Sequence, residues 1–451
     1  MGAPLLAWYG DDFTGATDTL AVLAQAGLRA MLFMGVPGEA QQAAARSALG
    51  GALDAVGIAG ASRSMAPEAM RAELEPVGRF FAALGNAVLH YKVCSTFDSA
   101  PGVGNIGVAV EVLRRHVAND FVPIVGGQPN LGRYCVFSNL FAAAGAGGAV
   151  ERIDRHPTMC RHPMTPMTEA DLRRHLALQG LAPMAALHYP AYAQAAAAQR
   201  AALHALLEQQ PAAVLMDLAD AAHLADIGRL IWEQATRSRL LAVGPSGVAQ
   251  ALIAHWSAVG ELPRHDEATT APQLAPAQGP VFVFAGSLSP VTARQVRAAR
   301  SYQPVALDAL QLLASPAHAQ STQAEIQQAL AAGRHVLAYT APANGASADT
   351  THSAALARAT AAFVNAVVRE RAGQGAPLKR VGIAGGDTSS LAVNALGGWG
   401  LSYRSALGAG VTVSTTHSED PALDGLELML KGGQMGDEDV FERLIRPAAA
   451  D

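Results

Sequence analysis

The chain has 451 residues, half of them hydrophobic; that is too much apolar sequence for one ordinary core, so two domains are expected. A formal net charge of −5 excludes the broad basic face that a nucleic-acid partner requires. Cys94, Cys135 and Cys160 are the only cysteines, and their odd number and wide spacing exclude a disulfide framework and a zinc site.

At the amino end no basic segment precedes Asp11, so no secretory signal is expected; no apolar run is long enough to span a membrane, and a reduced cytoplasm is the expected compartment. "PLLAWYG" (4–10) reads as a buried strand and "TGATDTLAVLAQAG" (14–27) as a helix ended by Gly27. Asp11 and Asp12 sit between them. A helix N-terminus welcomes one carboxylate as a cap. Two aspartates followed by Thr14 and Gly15 exceed that need and point to chemistry. Asp12, or Asp11, is the candidate base for a substrate hydroxyl, with Thr14 a substrate-binding neighbour.

Further strand-like runs follow at 29–35, 52–60, 86–95, 121–127, 212–218 and 239–247, separated by helical stretches. This alternation predicts an α/β domain with a largely parallel sheet, whose ligands collect at the carboxyl ends of the strands. Candidate ligand residues fall at such ends: Arg63 in "SRS", then Lys92, Ser95 and Asp98 in "KVCSTFDSAPG", then Arg133 in "PNLGR". Lysine occurs only at positions 92, 379 and 431, which makes a lysine inside a motif informative. Cations, hydroxyls and a carboxylate in this mixture suit a small polar anion such as a hydroxy acid. The same region holds Gly102-x-Gly104-x-x-Gly107, but these glycines lie well past the strand, where a dinucleotide fingerprint does not belong. No lysine follows a glycine, so a P-loop is excluded.

Residues 263–280, rich in Pro, Ala, Gln and Thr, read as a linker between a domain at 1–262 and a second at 281–451. Alternation resumes with strand-like runs at 281–286, 334–341, 380–386 and 410–416. Glycine–hydroxyl turns recur here. "AGSLSP" offers Ser287 and Ser289, the latter an N-cap before Pro290; "AGGDTSS" offers Gly386, Asp387 and Thr388; Gly408, Ala409, Gly410 and Val411 form a third turn; Gly433 lies in a fourth. Backbone N–H groups that approach an oxyanion without a Cβ in the way make these candidate nucleotide-binding positions.

Taken in order, "YGDDFTGATDT", "YKVCSTFDS", "PNLGR", "RHPMTPMT", "GSLSPVTARQV", "AGGDTSSLAVNALG" and "KGGQMGDEDVF" resemble the four-carbon acid sugar kinase family along nearly the whole chain. The forms "KVCSTFDSAPG" and "HPMTPMT" resemble its 3-oxo-tetronate kinase branch. The resemblance implies an N-terminal sugar-acid domain, a C-terminal nucleotide domain and an active site in the cleft between them. It further implies transfer of the ATP γ-phosphoryl group to the 4-hydroxyl of 3-oxo-tetronate, threonate or erythronate. Mg²⁺ is expected on the phosphates, with Asp387 a candidate contact and the remaining ligands unassigned. A homodimer is the default assembly. Two rivals are a nicotinamide-dependent sugar-acid oxidoreductase, which needs the 102–107 glycines, and a non-catalytic sugar-acid sensor.

Overall fold

The computed structural model describes residues 3–145, 147–162, 164–263, 274–286, 289–341 and 353–447, with no side-chain detail at 309, 341, 353–354 and 386–390. The chain forms two units, Met1–Thr270 and Ala271–Asp451. In the first, the strands are β1 (Leu6–Gly10), β2 (Ala30–Phe33), β3 (Ala55–Ala59), β4 (Val88–Lys92), β5 (Pro123–Gln128), β6 (Arg133–Val136), β7 (Asn139–Ala143), β8 (Val150–Arg152), β9 (Met184–Leu187), β10 (Ala213–Asp217) and β11 (Leu240–Gly244). Eight of them pair in parallel in the order β2-β3-β1-β4-β11-β5-β10-β9. The strand runs read from sequence in this half are all present.

β1 is buried along its whole length, as a central strand covered by helices on both faces must be, which explains its unbroken apolar character. Its side chains claim space from neighbouring glycines. A Cβ on Gly57 would lie 2.2 Å from the Trp8 ring, and one on Gly10 would lie 2.5 Å from Ala16. The Trp8 indole donates to the Ala16 carbonyl at 3.3 Å, fastening helix Phe13–Gln25 to the strand that precedes it.

Beyond β5 the chain turns back through antiparallel β6, β7 and β8, which the strand–helix alternation did not predict. The two-residue turn between β6 and β7 places Phe137 and Ser138 at φ +47° and +67°, a conformation costly for residues with a Cβ. Asp217 at the end of β10 holds it. Its carboxylate is fully buried and accepts from Phe137 N at 2.8 Å, Ser138 N at 3.0 Å and Tyr189 N at 3.3 Å, with His188 Nδ1 at 3.1 Å.

The second unit contains β12 (Phe282–Ala285), β13 (Tyr302–Asp308), β14 (His335–Ala341), β15 (Arg380–Ala384), β16 (Gly400–Gly408), β17 (Val411–His417) and β18 (Glu427–Lys431). The order is β13-β14-β12-β15-β18-β17-β16; the first five strands are parallel, and β17 and β16 join antiparallel. One face of the sheet packs Val283, Leu407, Val411, Val413 and Met429 against Phe441 and Leu444. Residues 264–273 of the expected linker lie outside the described residues. Leu274 is buried in this core, and the Ala275 carbonyl accepts from Arg380 Nη2 at 2.9 Å.

Asp217→Ala strips the acceptor from several buried N–H groups at once. We expect a loss on the order of 3 kcal/mol or more in unfolding free energy, read from urea denaturation monitored by circular dichroism.

Candidate functional site

β1, β3 and β4 end level: Gly10 stands beside Ala59 on one side and Lys92 on the other. The residues that follow therefore emerge together at the carboxyl edge of the sheet. The Asp11 amide donates to the Lys92 carbonyl at 3.0 Å, and the Arg63 amide donates to the Asp11 carbonyl at 3.1 Å. Asp12 is the extended N-cap of helix Phe13–Gln25 and accepts from Gly15 N at 2.8 Å. Its other oxygen meets Arg63 Nη2 at 2.9 Å, and Lys92 Nζ lies 3.8 Å from the capping oxygen. Lys92 reaches that position across Gly15, where a Cβ would fall 1.6 Å from Nζ. The glycine after the paired aspartates is thus a passage for the lysine.

The two carboxylates are almost equally buried, with Asp11 4% and Asp12 7% exposed, yet they are not equivalent. Burial opposes ionisation of Asp12, but Arg63, Lys92 and the Gly15 N–H together hold it below the usual carboxylate range. Burial, then the charge on Asp12, pushes the Asp11 carboxyl up to about 7, against the pull of Lys92 and Arg63. Asp11 Oδ1 is buried without a hydrogen-bond partner, and so is the Thr14 hydroxyl. An acid near 7 with an open oxygen is equipped to accept a proton.

The loop after β4 completes this edge. The Thr96 hydroxyl bonds both Asp98 Oδ1 and Cys94 Sγ. Ser95 is half-buried in the same turn. Burial pushes the Cys94 thiol up to about 11, so it stays protonated at neutral pH. Arg133 is 8% exposed; it donates to the carbonyls of Leu131 at 2.7 Å and Ala143 at 3.3 Å, and its Nε has no partner. No carboxylate pairs with Arg133 among the described residues, which leaves its charge available to an anion.

The Gly102–Gly107 pattern has another use. Gly104, at φ +61°, passes the backbone of Arg63 so closely that a Cβ would sit 2.5 Å from its carbonyl oxygen, and a Cβ on Gly107 would sit 2.1 Å from that of Gln179. Gly104 thus seats the Arg63 segment and Gly107 the Gln179 segment, a packing role for two of the three glycines. Sequence reasoning missed Asp18, whose Oδ2 accepts from Ser246 Oγ at 2.5 Å and Gln128 Nε2 at 3.0 Å. A carboxylate in the otherwise uncharged helix Phe13–Gln25 was the available signal.

In the second unit the glycine turns converge on one edge. Ser289 caps helix Pro290–Ala298 as predicted and also donates to the Gly433 carbonyl, which accepts from Thr292 Oγ1 at 2.9 Å. Gly385 N donates to the Lys431 carbonyl at 2.9 Å and leads into helix Gly386–Leu396. Val411 pairs with Lys431, which brings the Gly408-Ala409-Gly410 turn to the same place; a Cβ on Gly410 would lie 2.3 Å from Met435. Ser287 and the side chains of Asp387 and Thr388 lie outside the described residues. Lys431, absent from the candidate residues of the sequence, ends β18 fully buried at the centre of these turns. Among the described residues no group of three His, Cys, Asp or Glu side chains could hold a metal ion, and no helix is long and apolar enough to cross a membrane.

Residues 6–252 match the family described as the sugar-binding N-terminal domain, and residues 282–441 that described as the nucleotide-binding C-terminal domain. The chain is 39% identical to a 3-oxo-isoapionate kinase of Paraburkholderia graminis, covering 97% of this chain and 93% of that one. It is 32% identical to a 3-oxo-tetronate kinase of Methylobacterium radiotolerans, covering 96% and 97%. A solved Salmonella typhimurium LT2 protein shares the fold at a TM-score of 0.77 and 24% identity over 98% of both chains.

The displaced Asp11 carboxyl has a consequence for stability. Its folded value lies above that of an unfolded chain, so ionising it in place costs stability, and the cost develops as pH rises from about 4 to about 7. Asp11→Asn removes that cost. Its melting temperature should exceed that of the unaltered chain at pH 8, with the gap closing toward pH 4; equal melting at pH 8 contradicts the assignment.

Proposed function

Because the chain belongs to the four-carbon acid sugar kinase family, and is therefore a phosphotransferase that uses ATP and a sugar-acid alcohol, we propose that it phosphorylates the terminal hydroxyl of a 3-oxo sugar acid with Asp11 as the base. The observation that carries this reading is the divergence of Asp11 and Asp12: one open and near neutrality, the other ionised and committed to Arg63, Lys92 and the helix cap.

Arg63 and Lys92 both face Asp12, Asp98 also lies within the field of Arg63, and Arg133 adds a cation that no described carboxylate pairs. Together they suit the carboxylate of the acceptor. Asp11 takes the proton of the terminal hydroxyl as its oxygen bonds the γ-phosphorus, and ADP departs with the β–γ bridging oxygen. Thr14 and Asp98 hold the remaining hydroxyls, with Ser95 beside them. This moves the base from Asp12, favoured by position alone, to Asp11, because Asp12 is occupied as cap and ion-pair partner. Bound Mg²⁺ would neutralise phosphate charge; such an ion commonly takes one or two carboxylates plus phosphate oxygens and needs no ready-made protein cage. The reading requires the carboxyl edges of the two units to face one another across a cleft when both ligands are bound.

Both named relatives act on 3-oxo acids, which supports that acceptor class. The higher identity to the 3-oxo-isoapionate kinase makes 3-oxo-isoapionate the first acceptor to try, ahead of the 3-oxo-tetronate expected from the motifs.

A coupled ADP-release assay against both 3-oxo acids, threonate and erythronate tests the proposal; no turnover with any 3-oxo acid sinks it. On the active acid, kcat/KM should rise as pH passes through about 7, where Asp11 ionises. Asp11→Asn should lower kcat by about 10²–10⁴-fold. Asp12→Asn should chiefly raise KM for the acid, since it loosens Arg63 and Lys92; a near-normal kcat for Asp11→Asn returns the base to Asp12.

A further inference from the structure

We propose that Lys431 is the counter-charge for the polyphosphate chain of the bound nucleotide, a buried ammonium at the end of β18 that no carboxylate among the described residues neutralises. The inference rests on the kinase reading above and adds to it a residue in the second unit. Lys431 is 0% exposed, yet among the described residues one acceptor meets its three N–H bonds: the Thr292 hydroxyl, at 3.3 Å. No acidic side chain pairs with it among the described residues. Burying an unpaired ammonium is among the costliest placements in a protein, and a position needing only packing takes leucine or methionine. Burial draws this ammonium down to about 7, and no described acidic group offsets that cost.

Its surroundings are those of an anion site. Thr292 lies in the first turn of helix Pro290–Ala298, and Gly385, which bonds the Lys431 carbonyl, is the cap of helix Gly386–Leu396. A helix N-terminus presents backbone N–H groups and the positive end of a dipole to an anion, and two helix starts meet at Lys431. The glycine-bearing segment after Lys431 is fixed in place: Gln295 Nε2 donates to the carbonyls of Met435 at 3.0 Å, Gly436 at 2.8 Å and Asp437 at 3.0 Å. A compact ammonium, set among main-chain amides, neutralises phosphate as a point charge.

Isothermal titration of the full chain with ATP and with adenosine tests this in the unaltered protein, Lys431→Met and Lys431→Arg. Lys431→Met should melt at or above the temperature of the unaltered chain, bind adenosine equally well, and lose ATP affinity by roughly 100-fold; Lys431→Arg should recover part of that loss. ATP affinity within about threefold of the unaltered chain overturns the assignment and leaves the kinase reading standing. An unaltered chain that fails to bind ATP overturns both. Should Lys431→Met not fold, lysine labelled at ¹³Cε gives only three signals in this chain. Lys379→Arg identifies the exposed one, and sugar acid identifies Lys92. A saturating non-hydrolysable ATP analogue must then shift the remaining signal; if that signal stays put, Lys431 does not meet phosphate.

Discussion

Charge buried at the carboxyl ends of parallel strands is the constraint from which the rest of this molecule follows. In the first unit, β1, β3 and β4 stop at the same level and drive Asp11, Asp12 and Lys92 into one dry place, with the half-buried Arg63 at its side. Water reaches little of this cluster, so the charges must stabilise each other, and the division is uneven. Asp12 receives both cations and a helix N–H; one oxygen of Asp11 receives nothing. Two identical, adjacent side chains thus shift in opposite directions, one toward neutrality and one toward stronger acidity, according to which partners each meets.

The second unit meets the same constraint with different parts. Its edge is built from amides, glycine turns and one lysine, with Ser289, Thr292 and Gln295 tying the loops together through their side chains. Rigid main-chain donors cost nothing to reorient when an anion arrives. Under the proposed function, the carboxylate-rich edge of one unit would activate the hydroxyl and the amide-rich edge of the other would hold the polyphosphate.

How much of this was legible in the sequence depended on whether a signal was local. The strand–turn–helix punctuation around Asp11 and Asp12, and the Ser289–Pro290 cap, are local rules written in adjacent residues, and they read correctly. β9, β13, β16 and β18 were missed: "MAAL" and "ELMLK" are too short to show a period, and "GLSYRSALG", which joins the sheet antiparallel, mixes hydroxyls with apolar residues. The β6–β8 excursion escaped because its turn carries Phe137 and Ser138 in place of glycine, and the carboxylate holding that turn lies 80 residues away along the chain. Burial was the least legible quantity. Nothing in "ELMLK" tells that its lysine is inside, and nothing in "GDDFTG" tells which aspartate keeps a free oxygen.

Gly15 couples two positions that sit far apart in the chain. Alanine would suit its helical backbone better, but the Lys92 ammonium occupies the space where the methyl would go. The Asp12 capping oxygen stands 2.5 Å from the same point, so a methyl at 15 presses on the lysine and on the helix cap at once, and shortening the lysine alone does not make room for it.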